Sequence, residues 1–194
     1  MEQNGTLFNM SYKTPVTSST DFGIMKVGAG LSVTAGVVST TATTASNYGF
    51  FSSNVTQTNP VANAINIVTL PITGPASGIS VVGGNAITVT NAGIYTQIFT
   101  IIPAKTSGGT STISFWLRYN GTDIAASRLD LNLINTLPLT FTSGGFTLTM
   151  AAGSNIQMCW SSPDDEVTLK ALPATTTPTR PSSASVKITL TRIG

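Results

Sequence analysis

The sequence predicts an all-β protein, a sandwich or jelly roll of short antiparallel strands. Three observations carry that expectation. Alternating apolar runs recur along most of the chain, each closed by turn residues such as Gly83-Gly84, Asn120-Gly121 or Ala152-Gly153-Ser154. No amphipathic helical period separates them, so the crossover helices of a parallel α/β sheet are missing. Charged residues make up only 8% of the 194, against roughly a quarter in ordinary soluble domains. Thr, Ser and Asn take their place, which suits the outer faces of strands and argues against a helical bundle.

Residues 1–22 are polar and irregular, with isolated apolar side chains at Leu7, Phe8, Met10 and Tyr12. They read either as a frayed terminus or as a peptide that orders on a partner through those four anchors. Residues 23–40, GIMKVGAGLSVTAGVVST, alternate apolar positions around Gly28, Gly30 and Gly36. Short β segments with tight turns are expected there. One such unit cannot bury its own apolar face, whereas three copies around an axis can. Thr40 to Ser46 is a Thr/Ala/Ser linker and marks the expected boundary.

Strands are then expected over 48–53, 64–70, 79–82, 86–90, 93–102, 110–119, 123–133, 137–142, 145–150, 155–160, 167–172 and 185–193. Four of them alternate cleanly. Ile113, Phe115, Leu117 and Tyr119 share a face, as do Phe146, Leu148 and Met150, then Ile156, Met158 and Trp160, then Val186, Ile188 and Leu190. These are the expected core. An apolar content of 41% and a mean hydropathy of +0.25 make a sizeable core affordable.

The stretch 93–102 is different, because apolar residues fall on both parities. Ile94, Ile98 and Ile102 lie on one face of the strand, and Tyr95, Phe99 and Ile101 on the other. A strand apolar on both faces must be covered on both. One cover is the facing sheet. The other is expected to be a neighbouring subunit, with Tyr95, Phe99, Ile101 and the outward Trp116 as interface candidates, or the residues opposite Tyr95 and Phe99 in their place.

The net charge of +2 balances nine basic against seven acidic residues. The basic residues form no run, and no stripe with stacking aromatics is visible, so nucleic acid is not an expected partner. The start carries no basic and apolar leader, and no apolar run reaches the roughly 20 residues of a membrane span. A soluble product without membrane insertion is expected. Cys159 is the only cysteine, so no intrachain disulfide forms.

Histidine is absent, which removes the Ser-His-Asp and Cys-His arrangements and any His metal site. Cys159, between Met158 and Trp160 on a strand, reads as a buried inert thiol. The carboxylates Asp123, Asp130, Asp164, Asp165 and Glu166 mark no sugar cleft. No enzyme activity and no cofactor are expected. Asp164-Asp165-Glu166 is a weak calcium candidate, set against a solvated turn helped by Pro163. The segment from Thr175 to Ser185, with Pro178, Arg180 and Pro181, is expected as an exposed loop, a connection or a contact with a receptor or glycan.

Two resemblances follow from these residues. VGAGLSVTAGVVS resembles the Gly-x-Gly-Leu-x-Val-x-x-Gly-x-x-Ser units in shafts and necks of viral fibres. The run ITVTNAGIYTQIFTI, then FWLRYNGTDIAAS, SGGFTLTMAAGSNIQMCW and a closing SVKITLTRI resembles the C1q/TNF-like jelly roll of virus and phage structural proteins. The match spans about 47–194. The resemblance implies a homotrimer with strands packed around a threefold axis. It implies three segments: an attachment peptide at 1–22, a Gly-punctuated β stalk and linker at 23–46, and a jelly-roll head at 47–194. It implies a non-enzymatic virion structural protein, made in the host cytoplasm and displayed on the virion surface. Such a fibre or decoration head is anchored to a capsid or tail protein through residues 1–40 and contacts the host surface. A receptor- or glycan-binding tip and a minor capsid or cement protein between capsomers are the alternatives. The collagen tract of animal C1q proteins is not present.

Overall fold

The ten principal strands are β1 (Tyr48–Ser53), β2 (Ile72–Ser77), β3 (Ile79–Val82), β4 (Ala86–Val89), β5 (Gly93–Ile101), β6 (Thr110–Tyr119), β7 (Leu129–Ile134), β8 (Phe141–Met150), β9 (Asn155–Ser161) and β10 (Val186–Arg192). They were assigned in a computed structural model, which describes residues 31–34, 37–40, 46–134, 136, 138–139 and 141–194. The chain divides into two compact units, Met1–Ala45 and Ser46–Gly194. In the first, Leu31–Thr34 pairs antiparallel with Val37–Thr40.

The second unit is a sandwich of two antiparallel sheets. One has the order β8-β5-β10-β1-β2, and the other contains β7-β6-β9-β4-β3. From β4 onward the chain crosses to β5, crosses back to β6 and β7, then to β8, to β9 and to β10. That alternation between sheets is the winding of a jelly roll. A smaller ladder of Pro103–Lys105, Val167–Leu169 and Gln57–Thr58 adds Val167 and Leu169 to the core.

Alternation explains which side chains meet inside. β6 contributes Ile113, Phe115 and Leu117, β9 contributes Ile156, Met158 and Trp160, and β10 contributes Val186, Ile188 and Leu190, all essentially inaccessible to solvent. Met150 is buried with them, while Tyr119, Phe146 and Leu148 pack against the cluster from its margin. From β1 and β5 come Phe51, Tyr95, Phe99 and Ile101.

Strands β1, β3 and β6 form over the ranges the sequence predicts. Elsewhere the structure corrects the reading. Residues 141–142 of the first expected run and the whole of 145–150 belong to one strand, β8, because a register shift between Ser143 and Phe146 absorbs the extra residues. Gly145 sits in that bulge at φ +78, and an added Cβ would meet the Gln97 carbonyl oxygen at 2.9 Å. The expected strand 123–133 breaks after Asp123. Asn120 and Gly121, both at positive φ, make a two-residue hairpin turn that folds Thr122–Asp123 back on β6. The chain then restarts as β7. Strand β2 lies outside the expected strands and contains Gly74-Pro75, a pair that favours turns. It is tolerated because β2 is the sheet edge, where a missing N–H breaks no inner ladder. The run 64–70 contributes only Asn66–Ile67.

Candidate functional site

Three of the four interface candidates are corrected by their burial. Tyr95, Phe99 and Ile101 are at most 1% exposed and belong to the chain's own core. β5 lies between β8 and β10, and the pleat turns this parity toward the facing sheet. A side chain already enclosed by its own fold offers no surface to a neighbour. The opposite parity is open instead, with Ile94 43% and Ile98 47% exposed. Register places Thr189 and then Phe50 beside Ile98, and Thr191 and then the exposed Tyr48 beside Thr96. Among the outward positions of β10 only Lys187 brings charge.

Trp116 lies on the outer side of the other sheet, on β6, away from the Ile94–Ile98 face. It is half-buried. Its indole N–H donates to Asp123 Oδ1 at 2.9 Å, and Arg118 Nε donates to the same oxygen at 2.9 Å. These two donors, Arg118 first, hold the Asp123 carboxyl below the usual carboxylate range. Beside them Arg128 donates to Asp130 Oδ2 through Nη2 at 2.7 Å and Nε at 3.1 Å. The Arg128 bonds, then that of Ser114, lower Asp130 likewise.

The acidic stretch is a staple. Asp164 forms an ion pair with the buried Lys105, and its Oδ1 accepts the Glu166 N–H at 2.9 Å. Glu166 accepts the Ser107 hydroxyl. The fully buried Asn59 donates to the carbonyls of Ser162 and Asp164 at 3.1 and 3.0 Å. Calcium binding needs about six to eight oxygen ligands, carboxylates among them, turned to one point. Here an ammonium already occupies Asp164, and no group of three possible metal ligands exists among the described residues. The calcium candidate Asp164, Asp165, Glu166 is therefore corrected to an ion-paired turn. Sequence reasoning missed Lys105 because it lies 59 positions from Asp164.

Cys159 is fully buried, and burial pushes its thiol up from the ordinary value. A protonated, enclosed thiol is a poor nucleophile. Cys159 is expected to stay unmodified by Ellman's reagent in the native protein and to react fully in denaturant. Stoichiometric labelling of the native state would refute this. Leu7, Phe8, Met10 and Tyr12 lie outside the described residues. The segment from Thr175 carries a small exposed hairpin, Thr175–Thr176 with Thr179–Arg180.

The two surfaces thus defined belong to a jelly-roll protein with one open aliphatic sheet face and, on its other sheet, an indole fixed among paired charges. No family model matches the sequence, and no curated protein matches it. Among solved structures the chain is similar to murine APRIL at pH 5.0, with a TM-score of 0.47 and 10% identity, over 76% of this chain and 99% of that one. Murine APRIL at pH 8.5 gives 0.46 and 10% over the same shares. Eiger TNF from S. frugiperda gives 0.42 and 14%, over 77% of this chain and 93% of that one. The jelly-roll fold of this chain rests on its own strand order.

Proposed function

We propose that this chain is a non-enzymatic structural protein of a virion, with residues 47–194 forming a homotrimeric head. Residues 1–22 attach it to a capsid or tail protein, and residues 23–46 form a short stalk. The head stands on the virion surface and turns loops toward the host. The observation that carries the trimer is the open face of β5. Ile94 and Ile98 stay nearly half exposed in the middle of a sheet whose other residues there are mostly Thr and aromatic. Removing an isoleucine from water stabilises by about 1.5–3 kcal/mol when burial is complete. A face with little charge costs little to desolvate, so a second copy of the same chain is a fitting cover. The virion setting is supported by the likeness of 23–40 to fibre shafts and of 47–194 to viral jelly rolls.

Light scattering on the full chain tests the assembly. Three 20.0 kDa chains are expected to travel together, as one species of about 60 kDa. Ile98→Lys is expected to give a folded monomer, because each copy would bring a cation to the buried face. A wild-type monomer, or a trimer indifferent to Ile98→Lys, sinks this interface. Recovery of the chain's peptides from purified particles tests its location.

A further inference from the structure

The outer side of β6 carries a second feature, independent of the β5 face. A pocket of about 380 Å³ opens between Trp116 and the segment that follows the Asn120-Gly121 turn. Besides Trp116 it is lined by Ser114, Asp123, Ile124, Ala126, Arg128 and Ser161.

The pocket is built rather than incidental. Ser127, 2% exposed, donates to the Ile124 carbonyl at 2.8 Å and accepts the Leu117 N–H at 3.0 Å. The Ile124 N–H donates to the Leu117 carbonyl at 2.9 Å. The segment is thereby pinned to the middle of β6. Ala126 is held at φ +61, a left-handed conformation that a residue with a Cβ adopts at a cost. Strain of this kind persists only where the surroundings over-determine it, and it collects at binding sites. Asp123 accepts the indole N–H and orients the ring, and Arg128 is oriented in turn by Asp130.

The chemistry of the lining selects a ligand class. Two ion pairs, Arg118 with Asp123 and Arg128 with Asp130, leave the site without net charge. Each guanidinium is paired with a carboxylate, which weakens its pull on a free anion, yet each keeps N–H donors for a neutral acceptor. A bare cation would meet carboxylates whose charge is already matched. A half-buried indole offers an apolar face, and hydroxyl, guanidinium and carboxylate groups stand beside it. A pyranose fits that combination: its axial C–H groups present one apolar face, and its rim is a ring of hydroxyls that both donate and accept. The volume suits about one or two such rings at the low end of small-molecule sites. The larger groove of about 780 Å³ among Thr112, Asn132 and Asp165 has no aromatic wall.

We propose that the Trp116 pocket binds a neutral hexopyranose, with the sugar face stacked on the indole and its hydroxyls bonded to Arg128, Ser114 and Ser161. The site does not need the β5 face, so binding and assembly are separable.

The chain has two tryptophans, and Trp160 is buried, so the two indole N–H signals of ¹⁵N-labelled full-length protein act as probe and internal control. Methyl α-glucopyranoside, methyl β-galactopyranoside and N-acetylglucosamine would be titrated in turn, with choline chloride as the cation probe. At least one pyranoside is expected to shift the Trp116 signal with a dissociation constant of order millimolar, leaving Trp160 in place. Trp116→Ala is expected to weaken that affinity at least about tenfold. Because Trp116→Ala also removes packing from β6, Arg128→Ala is the second variant. It changes a mostly exposed side chain and is expected to weaken binding several-fold with the Trp160 signal unmoved. The proposal is overturned if no pyranoside shifts Trp116, if only choline does, or if binding survives Arg128→Ala undiminished. The mass of the same samples is read alongside. A sugar-binding monomer would keep the pocket and remove the trimer, and a trimer silent to sugars would do the reverse.

Discussion

Asp164→Ala is expected to destabilise the protein by about 3–5 kcal/mol, the cost of leaving a buried charge without its partner. Lys105 is 5% exposed, and its ammonium is matched by the Asp164 carboxylate. Removing the carboxylate leaves a cation whose side chain is 3% exposed without a counter-charge. It also frees the Glu166 N–H from Asp164 Oδ1. Lys105→Met combined with Asp164→Asn removes both charges and is expected to be close to neutral. Urea midpoints at constant slope measure both variants. A loss under about 1 kcal/mol for Asp164→Ala is the size found for exposed pairs, and would mean that the ammonium reaches water.

Gln97→Met is expected to raise stability, by about 1–2 kcal/mol. Gln97 sits on the inward parity of β5, 1% exposed, and both ends of its amide lack a hydrogen-bond partner among the described residues. Its same-face neighbours by register are Leu190 and Phe146. Methionine keeps the length and flexibility of the side chain while removing two polar atoms that burial leaves unsatisfied. Thermal denaturation reads the result as an upward shift in Tm. A downward shift would show that the amide is satisfied by an enclosed water, and that its removal costs the water's bonds as well.

The same residue explains what was and was not legible in the sequence. Where one parity was plainly polar, the inward face could be read directly. Lys187, Thr189 and Thr191 opposite Val186, Ile188 and Leu190 on β10 is such a case. On β5 the parity that faces the core carries Gln97, and the outer parity carries Ile94 and Ile98. A strand at the centre of a sheet places both parities against apolar surroundings or against nothing, and hydropathy does not distinguish these. Only the position of the second sheet decides, and that is a long-range fact. The turn positions were legible because positive φ restricts residue choice, as at Gly83, Gly84, Asn120 and Gly121. The β2 edge was not, because a proline that breaks an inner strand is harmless at an edge. The acidic turn looked like a cation site because the cation that satisfies it comes from the strand-end Lys105, far away in the chain. The Trp116 pocket left only a faint trace, an indole on a strand closed by Asn-Gly and followed by Asp123.

The ends of the second unit lie side by side. The Arg192 N–H donates to the Asn47 carbonyl at 2.8 Å, and Tyr48 faces Thr191 across the sheet. β1, the strand entered at residue 48, is hydrogen-bonded on one side to β10 and on the other to β2. Tension reaching the unit through residue 47 along that strand is therefore a shearing load. It must break two ladders together instead of opening bonds one at a time from an end.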